Sequence, residues 1–193
     1  MAVSLKTTQT DSGSGTRTIS VTTLSGCNYL MVGLSADGSG ITGITFDGSS
    51  LTQLGTKSDP DGRVVRLYGM ANPPIKTANL IVTKTAYGTT TISQWGNVLS
   101  IDTPASASGS SATATVNVSS KDGDAVVDAV VGPGSNSFTV GANQTSIGNS
   151  SSTSGAGSYE LGSSTVTMSW THTSASWGII AANIVSIPQS GVS

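Results

Sequence analysis

The chain has 193 residues, of which 9% are charged and 36% hydrophobic, with a formal net charge of −2 and one cysteine. That length suits one substantial core. The low, slightly acidic charge excludes the basic footprint of a nucleic-acid or anionic-membrane binder, and a lone Cys27 excludes an intramolecular disulfide.

Taken in chain order, residues 1–15 are polar and rich in Gly, Ser and Thr. They read as a flexible N-terminal arm that orders on a neighbour, with Leu5, Lys6, Thr7 and Thr8 as its assembly contacts. The segment carries no apolar signal core, and no run in the chain approaches the ~20 apolar residues of a membrane-crossing helix. From residue 16 onward, short runs of Val, Ile, Thr and aromatics alternate with Gly, Ser, Asp and Asn, the pattern of strands and turns.

Residues 16–23 alternate, and residues 28–34 (Tyr29, Leu30, Met31, Val32, Leu34) are almost continuously apolar, as in a strand buried on both faces. Residues 41–46 and 50–54 flank Asp47-Gly48, which predicts a two-residue hairpin because a type I′ turn needs positive φ at both positions. Residues 63–70 form the next strand, and Asn72-Pro73-Pro74 must end it, since proline cannot donate to a ladder. Residues 78–85 and 90–101 are expected as two strands. Residues 106–111 are expected as a small-residue loop before a strand at 112–118.

Asp122-Gly123-Asp124 turns the chain into residues 125–131, another apolar run. Residues 132–157 are Gly/Ser/Asn-rich with weak strands near 138–140 and 144–147. Residues 158–161, 164–172 and 176–187 close the domain. About a dozen strands at this spacing, with no helix signal, predict an all-β, antiparallel β-sandwich. The expected organisation is an arm (1–15), a single sandwich domain (16–188) and a tail (189–193). No fixed-period repeat is apparent in the sequence.

Chemistry is hard to assemble from these residues. His172 is the only histidine and reads as a strand-end residue rather than a general base. No Gly-x-Ser-x-Gly elbow is present. Cys27 reads as a small buried thiol. Asp37, Asp47, Asp59, Asp61, Asp122 and Asp124 lie beside Gly or Pro, where Asp stabilises turns through its own backbone. Neither catalytic residues nor a metal centre is expected; if a structural Ca²⁺ were held, Asp59-Pro60-Asp61-Gly62 and Asp122-Gly123-Asp124 are the loops that would hold it. Trp95 and Trp177 are the candidates for a glycan contact, set against core packing.

Several segments, in this order, resemble a jelly-roll-like β-sandwich module of bacteriophage virion structural proteins that also occurs in secreted bacterial surface proteins. They include Ile41-Thr42-Gly43-Ile44-Thr45-Phe46-Asp47-Gly48, Val65-Arg66-Leu67-Tyr68 before Asn72-Pro73-Pro74, and Ala78-Asn79-Leu80-Ile81-Val82-Thr83. Leu99-Ser100-Ile101-Asp102-Thr103-Pro104, Ala125-Val126-Val127-Asp128 and Thr165-Val166-Thr167-Met168-Ser169-Trp170 continue the match.

The resemblance implies a non-enzymatic virion subunit, expected as a capsid decoration (cement) protein on the particle surface, assembled in the host cytoplasm. Its implied partners are the major capsid protein and itself, as a homotrimer, with no nucleic acid and no membrane. The absence of a signal and a stalk within these residues favours that branch of the resemblance. The alternatives are a receptor- or glycan-binding module of a tail or head fibre, and a domain of a bacterial adhesin.

Overall fold

The structure is a computed structural model that describes residues 1–38, 40–134, 137–149 and 155–188. Among these it contains fourteen strands and no helix. The first seven are β1 (Ser4–Thr22), β2 (Tyr29–Ala36), β3 (Ile41–Phe46), β4 (Ser49–Ser50), β5 (Thr52–Ser58), β6 (Val64–Ala71) and β7 (Thr77–Gly96). The remainder are β8 (Val98–Ile101), β9 (Ala105–Ser119), β10 (Ala125–Val131), β11 (Thr139–Val140), β12 (Thr145–Asn149), β13 (Gly155–Leu161) and β14 (Thr165–Ser186). The all-β, antiparallel sandwich expected from the periodicity is what the chain forms.

Strands β1–β7 make one antiparallel sheet and β8–β14 the other. In the first, β7 pairs with β1 along one edge over its whole length. Its other edge pairs with β3 (Ile44↔Val82) and then with β2 (Val32↔Ile92), beyond which lie β6 and β5. In the second, β14 pairs with β9 and β8 along one edge. Its other edge pairs with β11 and then β10, beyond which lie β13 and β12.

Both long pairs bend midway, at register breaks between Gly13 and Gly15 of β1 and between Thr171 and Ala175 of β14. Bulges of this kind kink a ladder and increase its twist. The bend folds each sheet back over itself. In the first sheet, Ile19, Val21, Ile44, Phe46, Leu80 and Val82 from beyond the bend close over Leu30, Val32, Leu34 and Ile92. In the second, Ala114, Val116, Met168 and Trp170 close over Val126, Val130 and Ile179 in the same way.

The opposite faces of β2, β6, β7, β10 and β14 then pack sheet on sheet through Met31, Leu67, Trp95, Ala129, Ile180 and Ile184. The two sheets come close at Gly33, where a Cβ would lie 2.6 Å from Thr91 Oγ1 and 2.9 Å from Ala129 Cβ.

The Asp47-Gly48 hairpin is present, with φ of 51° and 78° and Phe46 paired to Ser49. Four expectations differ. Residues 4–15 are not an arm but the first half of β1, hydrogen-bonded along β7 from Gly96 to Gly88. Residues 78–85 and 90–96 are one bent strand, as are 165–172 and 176–186. Residues 106–111 are strand, because their backbone pairs with residues 180–175 of β14 whatever their side chains. The tail at 189–193 lies outside the described residues.

Candidate contact surface

Strand alternation decides what each bent sheet shows to solvent. Beyond the bends, the inward positions are mostly apolar and the outward ones mostly hydroxyl or amide side chains, with Ile81 an exposed apolar exception. On β1 and β7 the outward pairs are Thr16/Thr83, Thr18/Ile81, Ser20/Asn79 and Thr22/Thr77. On β9 and β14 they are Thr113/Thr171, Thr115/Ser169, Asn117/Thr167 and Ser119/Thr165, with Thr139 of β11 alongside Thr171.

Neither ladder contains a charged residue. Threonine hydroxyls donate and accept, so each ladder is an array of hydrogen-bonding groups, interrupted in the first by Ile81. Rungs are tied by Thr22 Oγ1 to Thr77 Oγ1 at 2.8 Å and by Thr167 Oγ1 donating to Asn117 Oδ1 at 2.8 Å. Cross-strand pairs of this kind hold their side chains in fixed positions. An uncharged, hydroxyl-rich face suits close contact with another polar surface, because it carries little charge to desolvate.

The residues singled out by sequence do not gather into one place. Trp95 is fully buried between the sheets, its indole N–H donating to Ser93 Oγ at 2.8 Å and its ring meeting Tyr159 edge-on at 5.5 Å. Trp177 is buried across from Gly109, where any Cβ would lie 2.8 Å from its ring, and donates to Ser111 Oγ at 2.9 Å. A glycan contact at either ring is corrected by that burial, since stacking on sugar requires an open face. Leu5, Thr7 and Thr8 face Trp95, Gln94 and Ser93 across the β1–β7 ladder, and Lys6 sits at a register shift in it. Their backbone therefore serves this chain's own sheet, not a neighbour's.

Cys27 is buried just ahead of β2, and burial pushes its thiol up, away from reactivity. His172 is buried at the bend of β14, with its ring 5.2 Å from Phe138, and burial lowers its pKa. Asp59 closes its turn by accepting the backbone N–H of Asp61 (3.0 Å) and Arg63 (2.8 Å) and pairing with the Arg63 guanidinium at 3.0 Å. Asp124 accepts Ser186 N–H at 2.8 Å and Asn183 Nδ2 at 3.0 Å; burial alone would raise its pKa, but these donors hold it below the usual range.

Three polar features escape a reading of the sequence. Asp128 lies wholly within the second sheet's core, taking hydrogen bonds from Ser158 N (2.7 Å), Ser158 Oγ (2.8 Å) and Trp170 Nε1 (2.7 Å). Burial pushes its pKa up to about 7 against those donors. Lys84 is buried at the bend of β7, donating to Gly88 O at 2.8 Å and Thr90 Oγ1 at 3.3 Å, with its pKa lowered by burial to about 8.

The third is a shallow cleft of about 270 Å³ lined by Asp102, Ser120, Asp124 and Asn183. There Asn183 Nδ2 bridges both carboxylates at 3.0 Å. The aspartate inside the apolar run 125–131 carries no local signal of its role, because its partners come from other strands, and the lysine inside 78–85 meets Gly88 and Thr90 only because β7 bends between them.

No family model matches the chain, and no curated protein sequence does. Among solved structures, the crystal structure of the major capsid protein P2 from bacteriophage PM2 is similar over 98% of this chain and 99% of that one, at 11% identity and a TM-score of 0.31. A likeness at that score carries no argument about function. The class is therefore defined by the strands themselves: a two-sheet, all-β protein with hydroxyl-lined outer faces.

Proposed function

We propose that the chain is a structural subunit of a bacteriophage particle, specifically a capsid decoration protein that binds the assembled shell through its outer faces. The observation that carries this reading is the pair of uncharged, Thr/Ser/Asn-rich ladders on a body whose tryptophan and phenylalanine side chains are all committed to its own interior. The sequence resemblance to virion β-sandwich modules supports it. Its partners in this reading are the major capsid protein and further copies of itself, as a trimer on the shell, and it has no catalytic role.

A ligand that binds only the assembled shell stabilises that shell by mass action. The test is addition of purified protein to heads assembled without it. Saturable binding with a raised head-disruption temperature is expected. Heads that neither bind the protein nor gain stability overturn the reading.

A further inference from the structure

The two sheets follow the same path. In each, a long first strand pairs with a long last strand (β1 with β7, β9 with β14). In each, the second strand joins the last strand's other edge on one side of the bend (β2, β10), and the third joins it on the other side (β3, β11). The penultimate strand lies beside the second (β6, β13), with one further strand at the edge (β5, β12).

The agreement reaches individual residues. Both bends arise where two residues of the first strand span four of the last, Gly13–Gly15 against Gly88–Lys84 and Ser111–Thr113 against Ala175–Thr171. Both bends bury a basic side chain, Lys84 and His172. The edge strands each carry a register shift ending on glycine, Gly55 and Gly148. The residue just ahead of the second strand makes the same bond in each: Asn28 Oδ1 accepts Val98 N–H at 3.1 Å, and Asp124 Oδ1 accepts Ser186 N–H at 2.8 Å.

Contacts between the two sheets come in reciprocal pairs. Strand β2 touches β10. Strand β6 touches β10 and β14, as β13 touches β2 and β7. Strand β5 touches β14 and β9, as β12 touches β7 and β1. That reciprocity is the mark of an isologous, two-fold interface. The joints agree as well. Strand β8 leads from the end of β7 alongside the end of β14, and the chain start lies correspondingly beside the end of β7, where Asn97 Nδ2 donates to Ala2 O at 3.1 Å.

From this we infer that the chain is a fused pair of one folding unit, residues 4–96 and 105–186, related by a pseudo-two-fold axis. The inner face of each unit, built on Met31 and Trp95 in one and Ala129 and Ala182 in the other, is an interaction surface whose partner is a second unit of the same kind. The hydroxyl ladder of one unit is thereby presented a second time. The inference stands independently of the virion reading.

A two-fold operator exchanges Ser20 with Asn117 and Thr77 with Thr165, all exposed. In the full chain with Cys27→Ala, one variant takes spin labels at Ser20→Cys and Thr165→Cys, the other at Thr77→Cys and Asn117→Cys. Pulsed dipolar spectroscopy is expected to return the same mean distance for both. Clearly different means overturn the proposal. If either variant misfolds, the exchanged pairs Thr22/Thr167 and Asn79/Ser119 give the same comparison.

Discussion

Asp128 is the residue whose chemistry departs furthest from its surroundings. Its carboxyl is displaced from the ordinary 3.8 to about 7 by burial, which corresponds to a linkage on the order of 4 kcal/mol. The folded pKa lies above the unfolded one, so the stability linked to this group is complete below about pH 4 and is lost as pH rises to about 7. Asp11, held low chiefly by its bond to Arg17, acts below that window, and Lys84 acts above pH 8. His172, lowered by burial, contributes in the opposite sense near its ordinary value. Comparison with Asp128→Asn isolates the carboxyl. Urea denaturation from pH 4 to pH 7 is expected to show wild type losing stability relative to that variant, and parallel pH profiles would contradict the assignment. Trp95→Ala is expected to cost about 3–5 kcal/mol, as for other fully buried aromatics, read as a lower denaturation midpoint with an unchanged m-value.

At the scale of elements, the long bent pairs organise everything else. Residues 4–13 cover one edge of β7, so deleting residues 1–15 would expose that ladder and strip half of β1. The truncated chain is expected to lose cooperative thermal unfolding by circular dichroism; a melting transition identical to full length would show that the segment is an accessory arm after all. The hairpin at Asp47-Gly48 and the stop at Asn72-Pro73-Pro74 were legible because turn chemistry is local. The continuity of β7, β9 and β14 was not. At Ser106–Ser111 the side chains are small and polar, and strand formation there comes from backbone pairing with a distant partner. At Lys84–Gly88 and Thr171–Ala175 the alternation breaks at the bend, which reads locally as a strand end.

At the scale of the molecule, the sequence was enough for an all-β sandwich, because alternation and turn residues recur along its length. The duplication was hidden for a physical reason. Interior faces constrain only size and polarity, so Val82 corresponds to Trp170 and Leu80 to Met168 with no shared identity. The second unit also has a shorter path between its third and penultimate strands, so no single spacing aligns the two. The hydroxyl ladders were equally hidden, since Thr and Ser on a strand become a ladder only once their partners are known.

In the proposed function these ladders seat the protein on a phage shell. That seating is tested most directly by co-sedimenting purified protein with heads assembled without it, comparing wild type with the doubly charged variant Thr18→Glu/Thr115→Glu, both confirmed as folded. Wild type is expected to sediment with the heads to saturation, and the charged variant to stay in the supernatant. Equal sedimentation of both would contradict the assignment of the ladders, and absence of wild type from the pellet would contradict the virion role itself.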